Sequence, residues 1–371
     1  MGIYAYVTAG LDNAMTVIDV TDPATPTLSG SIQEGASPYR LYKPYGVYAV
    51  GDYVYATAFD GGCLTIIDVS DKTNPSFEGY IHSWGAPNYL NGASQVVVKG
   101  NYAYVVSDYD CALTIFDIST PSSPSHEGVI IGCSSPEYLG GAVGLDIEGN
   151  YAYISSYYDS ALTIVDISTP SSPSHVGAIT GYGSPIYLGY PYGIDVVGNY
   201  AYVVGDLISS PSSLTIFDIS TPSSPSHEVA LIGAGPPNYI NRPKGVTVKG
   251  DYAYVACYAG DSLTIFDIST PSSPFYVGHI SGAGVPNHLD GPTGIFVLGD
   301  YAYLTCYDED SLTIIDISTP SSPSFKGYIS GAGPLNYLNG PYQVFVLEEG
   351  GGGGGSVSNF SGLAMKIMGL T

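Results

Sequence analysis

Short runs in which apolar and polar residues alternate recur along the whole chain, and none carries a convincing 3.6-residue period. In one stretch GVTVKG (245–250) alternates, Gly250-Asp251 turns into YAYVACY (252–258), and a loop leads to LTIFDIS (263–269). TPSSP then interrupts the chain before FYVGHIS (275–281). β-Branched and aromatic residues with period two, punctuated by Gly-Asp, Gly-Asn and Pro-Ser clusters, predict four short strands joined by tight turns.

That four-strand pattern repeats. MTVID ends at Asp19, and close copies end at Asp68, Asp117, Asp166, Asp218, Asp267 and Asp316, at intervals of 49, 49, 49, 52, 49 and 49 residues. The longer interval reflects an enlarged loop at Leu207–Ser213. Four strands in a unit of this length predict a propeller blade. The chain opens on a second strand (3–9), and its last apolar run (342–347) is a first strand with no second strand after it. Pairing the two closes the ring without exposed edges. The predicted fold is all-β: a seven-bladed β-propeller of four-stranded antiparallel blades over 1–349, then a Gly-rich linker (350–356) and an apolar tail (357–371).

LTIVDISTPSSPSHVG (162–177) and the repeated GNYAYV resemble the LVIVD-repeat family of β-propellers across residues 3–348. The resemblance implies a bacterial or archaeal surface or secreted protein and supplies no catalytic residues to carry over. This chain departs from it in its 14-residue Gly/Pro/Asn/Tyr links and in showing no export signal: MGIYAYVTAG has neither a basic stretch nor an apolar core. Abundant Ser, Thr, Tyr and Gly with little Lys or Arg favours an extracellular, cell-surface or particle location.

Composition narrows the partners. A net charge of −24, with 9 basic residues among 371, excludes nucleic acid and anionic membrane surfaces. No apolar run reaches the ~18 residues of a membrane-spanning helix. Cys63, Cys111, Cys133, Cys257 and Cys306 are odd in number and lack CxxC spacing, so neither a disulfide framework nor a thiolate metal site is expected.

Repetition assigns most polar residues a structural task. The aspartates closing LTIxD precede Ser/Thr-x-Pro and are expected to fold back on the backbone as Asx turns. The paired tyrosines of YAY, such as Tyr102 and Tyr104, share one sheet face and should pack between blades. His126, His175 and His227 are copies of one turn exit. The inter-unit links and the loops between second and third strands should open on one face. There the tenth link position reads Arg40, Tyr89, Tyr138, Tyr187, Tyr239, His288 and Tyr337, with Asn88, Asn238, Asn287 and Asn336 before four of them.

The neighbouring loops add Asp108, Asp110, Asp159, Asp261, Asp308, Glu309 and Asp310. This Tyr/Asn/Asp face is read in two ways, as well-packed loops whose tyrosines cover the ends of the core, or as the candidate binding surface for a glycan, a surface protein or another copy of the chain. Calcium is the one cofactor considered, with Asp146, Asp195, Asp308 and Asp310 as candidate ligands, although no DxDxDG loop is present.

In the tail Phe360, Leu363, Ile367 and Leu370 would share one face of a short helix, and Leu363, Met365 and Ile367 would equally share one face of a strand. The segment is read either as a chain end without structure of its own or as a docking peptide for self-association. No GxSxG, HExxH, P-loop or helix-opening GxGxxG occurs, and DISTPSSP repeats verbatim in five units. Such repetition favours multivalent contact, so the expected protein is a non-catalytic binding or structural module. The alternative is a metal-dependent hydrolase or lactonase-like enzyme with an axial site using Asp146, Asp195 and His288. If the tail docks, a chain ending at Glu349 will scatter light as a monomer at concentrations where the full chain assembles.

Overall fold

The computed structural model describes residues 1–34, 40–206 and 211–349. It contains seven four-stranded antiparallel sheets. In the third, Ala93–Lys99, Tyr102–Ser107, Ala112–Asp117 and Ser125–Ile131 follow one another from the axis outward. The first blade takes its inner strand, Pro341–Glu348, from the far end of the chain. That strand pairs with Ile3–Ala9 from Ile3↔Glu348 to Ala9↔Pro341, and the Glu349 amide donates to the Gly2 carbonyl at 2.8 Å. Closure is as the sequence predicts. Residues 207–210 of the enlarged loop lie outside the described residues. So do the linker and tail, including Phe360, Leu363, Ile367 and Leu370.

Neighbouring blades meet where a side chain has been omitted. Five inner strands carry glycine at their third position: Gly46, Gly144, Gly193, Gly245 and Gly294. A Cβ on any of them would stand 2.3 to 2.8 Å from a carbonyl oxygen of the next inner strand. Outer strands repeat the device, since a Cβ on Gly128 would meet the Pro170 carbonyl of the following TPSSP turn at 2.3 Å. Backbone hydrogen-bonding groups exposed by this approach find partners across the seam. Thr8, Thr57 and Thr305 donate from second strands to the Tyr45, Ser94 and Tyr342 carbonyls at 2.6, 2.8 and 3.0 Å.

The repeated motifs serve the predicted local roles. All seven LTIxD aspartates accept from the amide two residues on, at 2.8 to 3.0 Å. Hydrogen bonds from Ser70 and Ser119 hold the Asp68 and Asp117 carboxyls below their ordinary pKa. The second tyrosine of each YAY pair is buried, as at Tyr104 and Tyr303, while the first is half-buried. The His126 and His227 rings pack edge-on against Phe116 and Phe217.

One cysteine expectation is corrected. Cys111 and Cys133 form a disulfide with a Cα separation of 5.1 Å. Cys111 immediately precedes a third strand and Cys133 follows the fourth strand paired with it; Ala112 lies opposite Ile131, and the Gly132 amide donates to the Cys111 carbonyl. Antiparallel register therefore brings together residues that spacing alone does not associate. The equivalent pair in the preceding blade is Gly62 and Trp84, also in contact. Cys63, Cys257 and Cys306 are buried free thiols. Replacing both disulfide cysteines with serine is expected to lower unfolding free energy by about 2–4 kcal/mol, measured by chemical denaturation.

Candidate functional site

Each inner strand begins on the face carrying the links and the loops between second and third strands. It ends on the face carrying the Gly-Asp/Asn hairpins. The tenth link residues, Tyr89, Tyr138, Tyr187, Tyr239, His288 and Tyr337, sit on the link face with φ between 46° and 53°. This left-handed turn lets several LTI threonines reach their carbonyls; Thr313 donates to His288 O and Thr16 to Tyr337 O. Where ring contacts define direction, the side chains pack outward on fourth strands. Tyr239 stacks on His279 at 4.1 Å, and His288 on Tyr328 at 3.7 Å.

Asn238, Asn287 and Asn336 donate to the Ile232, Ser281 and Ser330 carbonyls, while Asn88 lies half-buried in its link. Arg40 pairs with Glu34 and covers the Phe77 ring at 3.7 Å. These contacts are local to each blade and do not gather the predicted ring about one ligand position.

The predicted carboxylates largely brace the links. Asp110, Asp159, Asp261 and Asp310 accept from the Asn91, Gly140, Gly291 and Gly340 amides. Asp308 hydrogen-bonds Tyr258, whose hydroxyl is pushed up to about 12 by burial first and that bond second. Among the described residues no group of three or more His, Cys, Asp and Glu side chains is placed to hold a metal ion.

Asp146 and Asp195 line the narrow central channel, a cavity of about 100 Å³. Asp146 accepts from the Ile147 and Val196 amides, each at 2.7 Å, and Asp195 from the Val248 amide at 2.7 Å. They thus bridge successive inner strands. Burial, then the Asp195 charge, raises the Asp146 carboxyl. Burial also raises Asp195, opposed by hydrogen bonds from Val248, Thr247 and Asp146. Both carboxyls are thus held above the ordinary Asp range, as close buried carboxyls are.

The larger cavity, about 390 Å³, is the mouth of this channel on the link face. Tyr45, Tyr192, Lys244, Thr293 and Tyr342, each second in its inner strand, line it together with Arg242, Tyr258, Tyr307 and Gln343. Tyr45 stacks on Tyr342 at 4.6 Å, and Lys244 Nζ lies 3.4 Å from the centre of the Tyr192 ring. Asp206, 3% exposed, receives Lys244 Nζ at 2.7 Å and Arg242 Nε at 3.0 Å. Burial lowers the Lys244 ammonium to about 8; Arg242 pushes the same way, and Asp206 opposes both. The arrangement offers aromatic faces, a guanidinium whose Nε and Nη2 already bond Asp206, and an amine that exchanges protons near neutrality.

Sequence reasoning missed this site. Its signal is the second inner-strand position, which reads Tyr45, Ser94, Val143, Tyr192, Lys244, Thr293 and Tyr342. There aromatic, cationic and small residues replace one another while the flanking pattern repeats.

Seven matches to the LVIVD repeat model cover residues 1–34, 45–82, 92–130, 139–180, 189–229, 243–281 and 293–330. The fold and site define a propeller with an axial cavity. The chain belongs to the LVIVD-repeat family. No curated protein matches it. Among solved structures, a candidate 6-phosphogluconolactonase from Bacteroides uniformis aligns with TM-score 0.74 and 10% identity over 93% of this chain and 99% of that one. A Pseudomonas aeruginosa periplasmic gluconolactonase aligns with TM-score 0.68 and 11% identity over 93% and 99%. A functionally unknown Desulfotomaculum acetoxidans protein aligns with TM-score 0.68 and 15% identity over 92% and 98%.

At these identities the likeness establishes the fold. Neighbours named as lactonases contradict the non-catalytic expectation to this extent: the same fold is found in proteins named as enzymes, so repeated surface motifs do not exclude catalysis. That expectation weighed the repeated surface motifs above an axial site, whereas the axial mouth is asymmetric.

The two raised carboxyls generate a pH prediction. Raised folded-state pKa values make the Asp146–Asp195 contribution to stability fullest below the ordinary Asp range, near pH 4. It is lost as pH rises through the folded values. Asp146→Asn keeps a donor toward Asp195 and is expected to flatten this decline, measured by thermal melting from pH 4 to 8.

Proposed function

We propose that the axial mouth binds a small carbohydrate-derived acid, with its carboxylate against Arg242 and Lys244 and its carbon skeleton against the tyrosine rings. The observation that carries this reading is the convergence of two of nine basic residues, in a chain of net charge −24, with five tyrosines in one cavity. Asp206 offsets one of the two positive charges, leaving the pocket cationic within an acidic molecule. A cavity of about 390 Å³ falls in the range of small-molecule sites. The Cys111–Cys133 disulfide supports an oxidising compartment, in keeping with a cell-surface or secreted setting.

A second reading, lactone ring opening, is favoured by the Lys244 amine, whose pKa near 8 leaves about a tenth of it neutral at pH 7. Water attacks the lactone carbonyl carbon while Lys244 takes its proton. The ring C–O bond breaks, and the proton passes to the departing oxygen, giving the hydroxy acid of the first reading. Neighbours named for gluconolactone and its 6-phosphate are in keeping with this substrate class.

Calorimetric titration with gluconate tests binding. Arg242→Gln and Lys244→Met are each expected to weaken it at least tenfold, and unchanged affinity in both would sink the proposal. For the second reading, proton release from glucono-1,5-lactone should exceed the spontaneous rate and return to it in Lys244→Met.

A further inference from the structure

We infer that a groove over the third and fourth blades leads into the axial mouth and holds a chain of neutral sugar rings, whose single terminal carboxylate reaches Arg242 and Lys244. This rests on the proposed acid-binding reading and names its ligand class. The inner-strand second positions in these blades are Ser94 and Val143, so the wall made elsewhere by Tyr45, Tyr192 and Tyr342 is low there. Above stand Tyr109 and Tyr158, 56% and 64% exposed on equivalent loops.

Each ring begins an aromatic run toward the mouth. Tyr109 meets Phe59 at 5.2 Å, and Phe59 meets Tyr45 at 6.1 Å. Tyr158 meets Tyr157 at 5.1 Å, and Tyr157 meets Tyr192 at 5.2 Å. Two aromatic walls therefore converge on the cavity that holds the cations.

Between them lies Asp108, whose charge acts on both Tyr45 and Tyr158. Its Oδ1 is buried and has no hydrogen-bond partner among the described residues, and burial raises the carboxyl to about 6. Exposed aromatic faces stack on the C–H faces of a sugar ring, whose hydroxyls point outward at its edge, where an unsatisfied carboxylate oxygen accepts once a side-chain rotation uncovers it. Asp108, Asp110 and Asp159 make this approach acidic. A polyanion is repelled along it, whereas a neutral chain with one terminal acid meets charge only where Arg242 and Lys244 answer it.

Calorimetry with gluconate, cellobionate and cellotrionate, which add neutral glucose rings one at a time to the same acid, tests the groove. Wild-type affinity should rise about two- to tenfold per added ring. The Tyr109→Ala/Tyr158→Ala variant, its fold checked by thermal melting, should bind gluconate normally and lose that rise. Gluconate binding with no gain in length, or an equal gain in the double variant, overturns the groove and leaves the acid site standing. No binding of any of the three overturns both readings.

Discussion

The ring depends on how closely neighbouring inner strands approach one another. Glycine at the third position of five inner strands admits the next strand's carbonyl to within the space of a missing Cβ. That proximity brings hydroxyls from Thr8, Thr57 and Thr305 within reach of backbone carbonyls, and carboxylates from Asp146 and Asp195 within reach of backbone amides. Each blade thus completes part of its neighbour's hydrogen bonding, as the cost of buried unsatisfied groups requires. The same tightness narrows the channel. Bulky second-position side chains find room where the strands begin, at the mouth.

Repetition and site formation divide the sequence between them. Positions that recur in every unit carry turns and seams: LTIxD closes on itself, and outer glycines admit the next turn. Chemistry collects where recurrence fails. Lys244 stands where other blades place tyrosine, serine, valine or threonine, and Asp206 stands where the following two blades place Tyr258 and Tyr307. A symmetric scaffold thereby holds a pocket with one cationic side and one aromatic side. The departure from symmetry gives a ligand a direction.

Strands, blade number and ring closure were legible because each depends on local alternation or on an overhang at the chain ends. The Asx turns were legible because donor and acceptor are two residues apart. The mouth was not, since Tyr45 and Tyr342 are 297 positions apart in the chain and stack only once the ring closes. Cys111 and Cys133 escaped because their approach follows from strand register rather than spacing. The periodic tyrosines of the links were visible, but their direction was not. A left-handed turn at Tyr239 or His288 sends the ring outward onto a fourth strand, a matter of backbone conformation that residue type does not disclose.

Closure through Ile3↔Glu348 has a mechanical consequence. The two closing strands are antiparallel, so Gly2 and Glu349 lie at the same end of the seam, on the hairpin face. Tension applied between these residues would load the seam's hydrogen bonds one after another, like a zipper, and not all together in shear. The blade is therefore weak as a link pulled from both sides. A pull through Glu349 alone, balanced by drag on the body, loads the ring as a whole and leaves the mouth on the opposite face from the point of pull.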